Sequence, residues 1–531
     1  MLCFEVRDSC DIATVRKNGS GWAGLGVGIY PVVHETIESS FVSSPGGIEI
    51  IVREKGASDG ARDGEWELEY LSIRISKTDA GARVELRAGE WGTCPVYAVC
   101  DAGGIIGNWD VVELFGRMRS PSLCPVFSAH FLAGLEHPYG ASTIFPRIRR
   151  MTAGSKAEWR AGWSDVQVNY PAAVEFAGPH RLKPGADVPG AFDDSLMSSL
   201  QRFGALGPEG KRNTGVLLSG GLDSAITAIA TARAGAGTVR SYGLLMPGGG
   251  RDGQKKRRAE LVQSFGFRDN VIDTENYCPL DPASERVRDF RFVPWEECYL
   301  EAFTALLKTA ESNGDVTLMT GNGGDELCMP YWFELSPEEV QRRRMPVGEG
   351  AVPPFLSRGV VEAFRDTARS VDRAPATTIS SSSLSASASS AALFMRHGVW
   401  SLSPLCTPEL IRLCRRLPRE WRENREVSRR YLEARGCGAT VTRPTSTEDF
   451  GPLMEAGLRG RNATFVAELF GDCRLADLGL VDGAILRSEY AHWRAGGICC
   501  YDPAHFLFTA MLELTVRSVG ARYGRAMAFS A

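Results

Sequence analysis

Two short stretches carry residue types whose spacing suits phosphate chemistry: Ser219-Gly-Gly-Leu-Asp-Ser224 and Gly321-Asn-Gly-Gly-Asp-Glu326. In the first, Ser219, Gly220 and Gly221 let the backbone turn sharply and come close to a ligand. Asp223 and Ser224 then open a segment whose first N–H groups are unpaired if it is helical, which makes the turn a place for a phosphate group. The second stretch repeats the logic, with Gly321, Gly323 and Gly324 ahead of Asp325 and Glu326. The first fits neither GxxxxGK[ST] nor GxGxxG, so it is not a nucleotide-triphosphatase P-loop or a dinucleotide fingerprint.

Turns of this kind work only if rigid elements hold them. Val216-Leu-Leu218 is a short apolar run of the type found in parallel sheets, and the Ala/Ile-rich segment from Ala225 has a helical apolar face. Val239–Met246 reads as the next strand, completing a βαβ unit, and Asp315–Met319 as the strand before the second turn. In open parallel sheets ligands sit beyond the carboxyl ends of the strands, so two such turns on neighbouring strands can face one nucleotide.

The first pattern resembles the SGGxDS pyrophosphate loop of the ATP pyrophosphatases, which include asparagine, β-lactam, NAD and GMP synthetases. The resemblance implies cleavage of ATP between its α and β phosphates and transfer of AMP to a substrate oxygen. The second resembles the G-x-G-[SG]-D-E motif of asparagine-synthetase-like enzymes. Ser219, Gly220, Gly221, Asp223, Ser224, Gly321, Gly323 and Gly324 would then line the ATP, with Leu244 and Met246 near the adenine. Asp223 and Asp325 would supply oxygen ligands to a Mg²⁺ that bridges the phosphates. The family's catalytic position inside the second motif is Asn322 here, and an amide cannot deprotonate an amine. Glu326 is the nearest alternative base; Glu296, Glu297 and Tyr299 come next, though a solvated acidic helix face explains those three equally well. The relatives also place a lysine in the C-terminal region, whereas no lysine follows Lys308. Arg429, Arg430 and Arg443 lie in the matching region, with Arg443 and Arg429 the candidates for stabilising charge by hydrogen bonds that an arginine can make without shedding a proton.

Residues 1–175 alternate apolar and polar runs between turn residues, as in Ile48–Arg53 and Trp66–Ile75. Gly92-Thr-Cys-Pro-Val-Tyr97 and the following Gly103–Asp110 resemble strands of the glutaminase domain of asparagine synthetases. That domain uses a cysteine at position 2 as an exposed N-terminal nucleophile. Leu2 stands there, a bulky residue expected to retain Met1 and leave Cys3 internal, so the amidohydrolase reads as lost and the sandwich as retained scaffold. Residues 176–190, with three prolines and three glycines, read as a crossing segment. A helix is expected over Ala191–Phe203 and another over Arg257–Phe265, fed by the basic loop Gly248–Arg258, which either stays mobile or brushes the triphosphate. The triplet Arg342–Arg344 reads as a solvated face. The Ser-rich stretch Thr377–Ala392 is either a disordered linker or a small-residue helix, packed closely or lining the substrate cavity. Leu402–Pro418 resembles a family segment whose helix ends at a Leu-Pro pair, and segments from Arg443 to Asp482 resemble actinobacterial lasso-peptide cyclases.

The expected fold class is therefore α/β: an N-terminal β sandwich (degenerate Ntn glutaminase-like) over 1–175, a linker over 176–190, and a parallel-sheet ATP pyrophosphatase (adenine nucleotide α-hydrolase-like) domain over 191–531. A net charge of −4 gives no reason to expect nucleic acid. Fourteen scattered cysteines without a CxxC pair indicate neither zinc nor a disulfide framework. No run reaches the ~20 apolar residues of a membrane span and no signal peptide is evident, so the expected compartment is the cytoplasm. The resemblance implies an AMP-forming ligase using ATP and Mg²⁺. Its first expected reaction is macrolactam closure of a lasso precursor peptide, served by leader-binding and leader-peptidase partners. The alternatives are an asparagine- or β-lactam-synthetase-type small-molecule ligase and a nucleotide-binding scaffold without chemistry.

Overall fold

The computed structural model describes residues 1–56, 68–101, 103–118, 121–206, 213–235, 238–344, 352–523 and 528–529. The N-terminal half alternates apolar and polar residues along its strands, and the consequence is two facing antiparallel sheets. One orders Ile148–Met151, Val96–Asp101, Gly104–Asn108, Leu2–Arg7, Val27–Pro31, Gly21–Gly24 and Arg16–Asn18; the other runs from Gln167–Asn169 through Lys156–Arg160, Gly81–Ala88, Tyr70–Thr78 and Gly47–Glu54 to Ile37–Ser44. Ile50, Val52, Ile73, Ile75, Val84 and Leu86 from one face meet Phe4, Val6, Ile29 and Ile105 from the other in a single core. The expected strand at Trp66–Ile75 is Tyr70–Thr78, its first two residues lying outside the described ones.

The second half holds a five-stranded parallel sheet, among the described residues: β1 (Thr214–Leu217), β2 (Arg240–Leu245), β3 (Arg268–Asp273), β4 (Thr317–Met319) and β5 (Trp400–Leu402), in the order β3-β2-β1-β4-β5. The order reverses at β1, which has β2 on one side and β4 on the other, so the carboxyl ends of β1 and β4 form the crevice where such sheets bind ligands. Helix α1 (Leu222–Arg233) follows β1, and α2 (Arg251–Phe265) follows β2.

Two helices differ from expectation in their bounds, and a third settles an open alternative. Helix α2 starts at Arg251 rather than Arg257, because its basic run is not a solvated loop: Gln254, Arg257 and Arg258 are buried on one side while Lys255 and Lys256 face out. The helix expected at Ala191–Phe203 is Val188–Arg202; Pro189 sits in the first turn, where its missing N–H costs nothing, and Asp187 accepts a cap bond from Gly190 N at 2.9 Å. The Ser-rich stretch resolves into α3 (Ser381–Arg396), capped by Ser380, whose hydroxyl accepts from Ser383 N. Helix α4 (Pro408–Arg416) ends directly before Leu417-Pro418, as expected. The side chains of Arg342–Arg344 lie outside the described residues.

The two halves share buried surface. A second core joins Phe115, Phe131 and Phe145 to Phe292, Phe470 and Phe506. Ser122–Leu123 also pairs in parallel with Ala528–Phe529 near the chain end. No helix among the described residues is long and apolar enough to cross a membrane.

Candidate functional site

The turn after β1 is fixed by its own serines. Ser219 N donates to Ser224 Oγ at 3.1 Å, Gly221 N donates to Ser219 Oγ at 3.2 Å, and Ser224 Oγ donates to Gly221 O at 3.1 Å. The turn after β4 lies directly against it. A Cβ on Gly321 would stand 2.9 Å from Ser224 N, and one on Gly324 would stand 2.2 Å from Asp223 Cγ. Only glycine at both positions lets the two motifs, about a hundred residues apart in sequence, touch. Thr227 Oγ1 of α1 also donates to Thr320 O, tying the helix of one turn to the strand of the other.

The acids converge. Arg425 Nη1 donates to Asp223 Oδ2 at 2.7 Å and to Asp325 Oδ1 at 2.5 Å, so a single nitrogen spans both carboxylates. Asp223 is the enclosed member, its side chain 17% exposed, and Asp325 the open one at 78%. Burial pushes Asp223 up to about 6; the Arg425 guanidinium opposes this, while the neighbouring charges of Asp325 and Glu326 add to it. Its Oδ1 is buried without a hydrogen-bond partner. A half-satisfied, half-buried carboxylate beside an exposed one is a donor set that a divalent cation fits, since Mg²⁺ needs only one or two carboxylates when phosphate oxygens complete its shell.

Arg425 was not singled out by the sequence reading. It reaches the acids from a turn in which Asn424 (φ 53°) and Arg425 (φ 57°) are both left-handed, ahead of helix α5 (Glu426–Ala434). Asn tolerates that conformation; for Arg it costs about 1–2 kcal/mol. The two arginines that were singled out sit behind it. Arg429 braces the turn, its Nε donating to Asn424 O at 2.7 Å and its Nη1 to Thr442 O. Arg443 is exposed and held by Glu426, at 3.0 Å from Oε1. The positive charge between the acids is thus supplied by Arg425 and neither Arg429 nor Arg443.

The basic segment contributes by support. Arg257 Nε donates to Gly220 O at 3.1 Å, and Gln254 Nε2 donates to both Ser219 O and Leu244 O while its Oε1 accepts from Met246 N. Helix α2 thereby locks the first turn to the end of β2. The side chains of Leu244 and Met246 are buried in a core with Leu306 and Leu453.

Glu326 projects from the second turn, half-buried, and its Oε1 accepts from Ser382 Oγ at 2.6 Å in the first turn of α3. With Gly323 it lines the mouth of a cleft of about 710 Å³. The other acidic candidates are elsewhere. Glu296 is buried under Arg396 at 2.8 Å, Glu297 Oε1 accepts from Tyr299 N, and both glutamates line a separate cavity of about 260 Å³ with His137 and Arg150. Cys3 is half-buried with its thiol donating to Asn108 Oδ1 at 3.3 Å, and burial raises its pKa, so it is poorly placed to form a thiolate.

Compared with known families, residues 209–515, which include both glycine turns, Arg425 and Glu326, match the family described as asparagine synthase. No curated protein matches the chain.

Proposed function

Since the chain belongs to the asparagine synthase family, whose members are ATP-dependent amide ligases, we propose that it activates a carboxylate as an acyl-adenylate and passes it to an amine. A substrate carboxylate oxygen attacks the α-phosphorus of ATP, the bond to the β-phosphate oxygen breaks, and pyrophosphate leaves. The amine then attacks the acyl carbon, loses a proton, and AMP departs. The observation that carries this reading is the contact of the two turns, with Asp223 and Asp325 bridged by one guanidinium nitrogen.

In that reading the turn N–H groups and the start of α1 hold the departing pyrophosphate. Asp223 and Asp325 would hold the Mg²⁺, which when bound neutralises phosphate charge. Arg425 supplies fixed positive charge at the same point and serves where the relatives use lysine. Glu326 is the acceptor for the amine's proton: it stands beside Asp325, and the α3 hydroxyl of Ser382 orients it. Arg429 and Arg443 position the Arg425 turn.

The substrate proposed is a precursor peptide closed into a lasso-type macrolactam. The half-buried Cys3, its thiol donating to Asn108 and its pKa raised by burial, supports an enzyme that takes its amine from the substrate and not from glutamine, and the volume beside Glu326 supports a substrate larger than a free amino acid. Pyrophosphate exchange into ATP tests it. Exchange with a peptide bearing an Asp or Glu side chain, followed by AMP release and mass loss of one water from the peptide, is the expected result. Exchange with aspartate alone would point to a small-molecule ligase. ATP binding without AMP release for any carboxylate offered would leave only a scaffold.

A further inference from the structure

The cleft beside Glu326 is built around an arginine with no acid of its own. Arg415, on α4, lies with its guanidinium carbon 5.0 Å from the Phe176 ring centre and 4.1 Å from that of Tyr331. Its Nη1 donates to Met329 O at 2.7 Å, its Nε is buried without a partner, and no carboxylate pairs with it among the described residues. Burial pushes its pKa down, the neighbouring Arg422 adds to this, and Tyr331 and Glu334 oppose it. The two rings and the Met329 carbonyl hold the guanidinium in place, a fixed charge that suits capture of a carboxylate.

Around this charge the wall is aromatic and open. Trp332 lines the cleft with 61% of its surface exposed, and Phe333 stacks on Tyr331 at 5.1 Å. Exposed aromatic groups gathered beside a fixed cation are a recognition surface rather than a core. The floor includes chain just ahead of the crossing segment, where Val174 N donates to Ala376 O at 2.7 Å. The opposite wall is the first turn of α3, with Ser381 and Ser383 on it and Glu326 at its end. The acids Glu175 and Glu326 also face the cleft, so the surface reads one carboxylate at one point and does not attract anions in general. At about 710 Å³ it falls in the range of drug-sized ligands, well above a single amino acid.

We infer that this cleft receives a short peptide segment carrying a carboxylate near an aromatic residue, with the carboxylate on Arg415, the ring on Trp332, and the chain leading to Glu326. The inference rests on the ligase reading only for its direction toward the ATP turns; the binding itself needs no ATP.

Fluorescence anisotropy on the full chain without nucleotide tests it, using fluorescein-labelled six-residue Gly/Ser peptides. One carries a Trp and a Glu, one a Trp and a Gln, one an Ala and a Glu, and one a Trp with the acid moved to a free C-terminus. The Trp/Glu peptide should bind about tenfold more tightly than its Gln counterpart, the scale of a hydrogen bond to a charged group. Arg415→Gln should erase that preference, Arg415→Lys should keep part of it, and Trp332→Ala should weaken Trp peptides without changing the Glu/Gln ratio. The tighter of the two acid positions identifies the source of the carboxylate. Equal binding of Glu and Gln peptides, or a preference that survives in Arg415→Gln, overturns the inference. If Arg415→Gln fails to fold, Trp332→Ala decides: unchanged affinity for the Trp/Glu peptide then counts against the cleft. Asp325→Asn separates the two readings, since it should lose pyrophosphate exchange and keep peptide binding. Peptide binding with no exchange in the wild type removes the ligase and leaves the cleft.

Discussion

At the residue scale the site is a balance of charge around Asp223. Its carboxylate is enclosed by the two turns, so ionising it costs solvation, and the nearby Asp325 makes that cost larger. The prediction follows from the sign. With its pKa raised to about 6, Asp223 loses its proton as pH rises through that point, and in the proposed metal-holding role Mg²⁺-dependent ATP affinity should climb with it. Asp325→Asn removes the like charge and should move the midpoint down; an unmoved midpoint would show that Asp223 does not govern the profile. Asp325 is exposed, so the same variant should leave the melting temperature almost unchanged while exchange falls by about a hundredfold or more, on the scale of losing one electrostatic contact in a catalytic site. The two aspartates were legible in sequence because their spacing from the glycines is local. Arg425 was not, because its place depends on a left-handed turn at Asn424-Arg425 and on long-range packing; the sequence shows only several arginines between 425 and 443.

At the element scale the turns are held apart from nothing but each other, and glycine sets the distance. Gly324→Ala would place a methyl 2.2 Å from Asp223 Cγ, so either the aspartate or the second turn must move. We expect ATP binding to be lost with a modest drop in stability. Gly359→Ala, whose Cβ meets nothing within 4 Å, should be silent in both measurements. Normal ATP affinity in Gly324→Ala would mean that the contact of the turns is incidental. Strands β1, β2 and β4 could be read from apolar runs bounded by turn residues, since that pattern needs no partner to interpret. The early start of α2 could not, because burial of Arg257 and Arg258 depends on acceptors at Gly220, Ser446 and Asp269 that lie outside the helix. The composition of 377–392 allowed two outcomes. Hydroxyl capping at Ser380 and the packing of Leu384, Ala388 and Ala391 select the helix, and that same helix supplies Ser382 to Glu326.

At the scale of the whole molecule the sandwich and the parallel sheet are joined by buried polar contacts as well as by the aromatic core. Trp400 of β5 donates its indole N–H to Glu54 Oε1 of the sandwich at 2.6 Å, and Glu54 Oε2 accepts from Glu69 N. His34 Nε2 lies 3.0 Å from Val316 O at the start of β4. The sandwich is thus part of the synthetase half's support, which gives it a structural role whatever chemistry it carries. These contacts set a pH dependence of stability. Burial, with the charge of Glu69 added, pushes Glu54 up to about 8, and burial pushes Glu69 up to about 7. Above the ordinary glutamate range the unfolded chain releases these protons while the native state keeps them, so the native state binds more protons and stability falls as pH rises. The fall begins near pH 4.5 and is complete once pH passes about 8, where both states are ionised. Melting temperature should therefore decline from pH 5 to pH 8. Glu54→Gln, which cannot ionise and can still accept the Trp400 bond, should show a shallower decline, whatever its melting temperature at pH 5. Parallel curves for the two proteins would mean that Glu54 is already ionised in the folded state and that the junction between the halves is wetter than its burial implies.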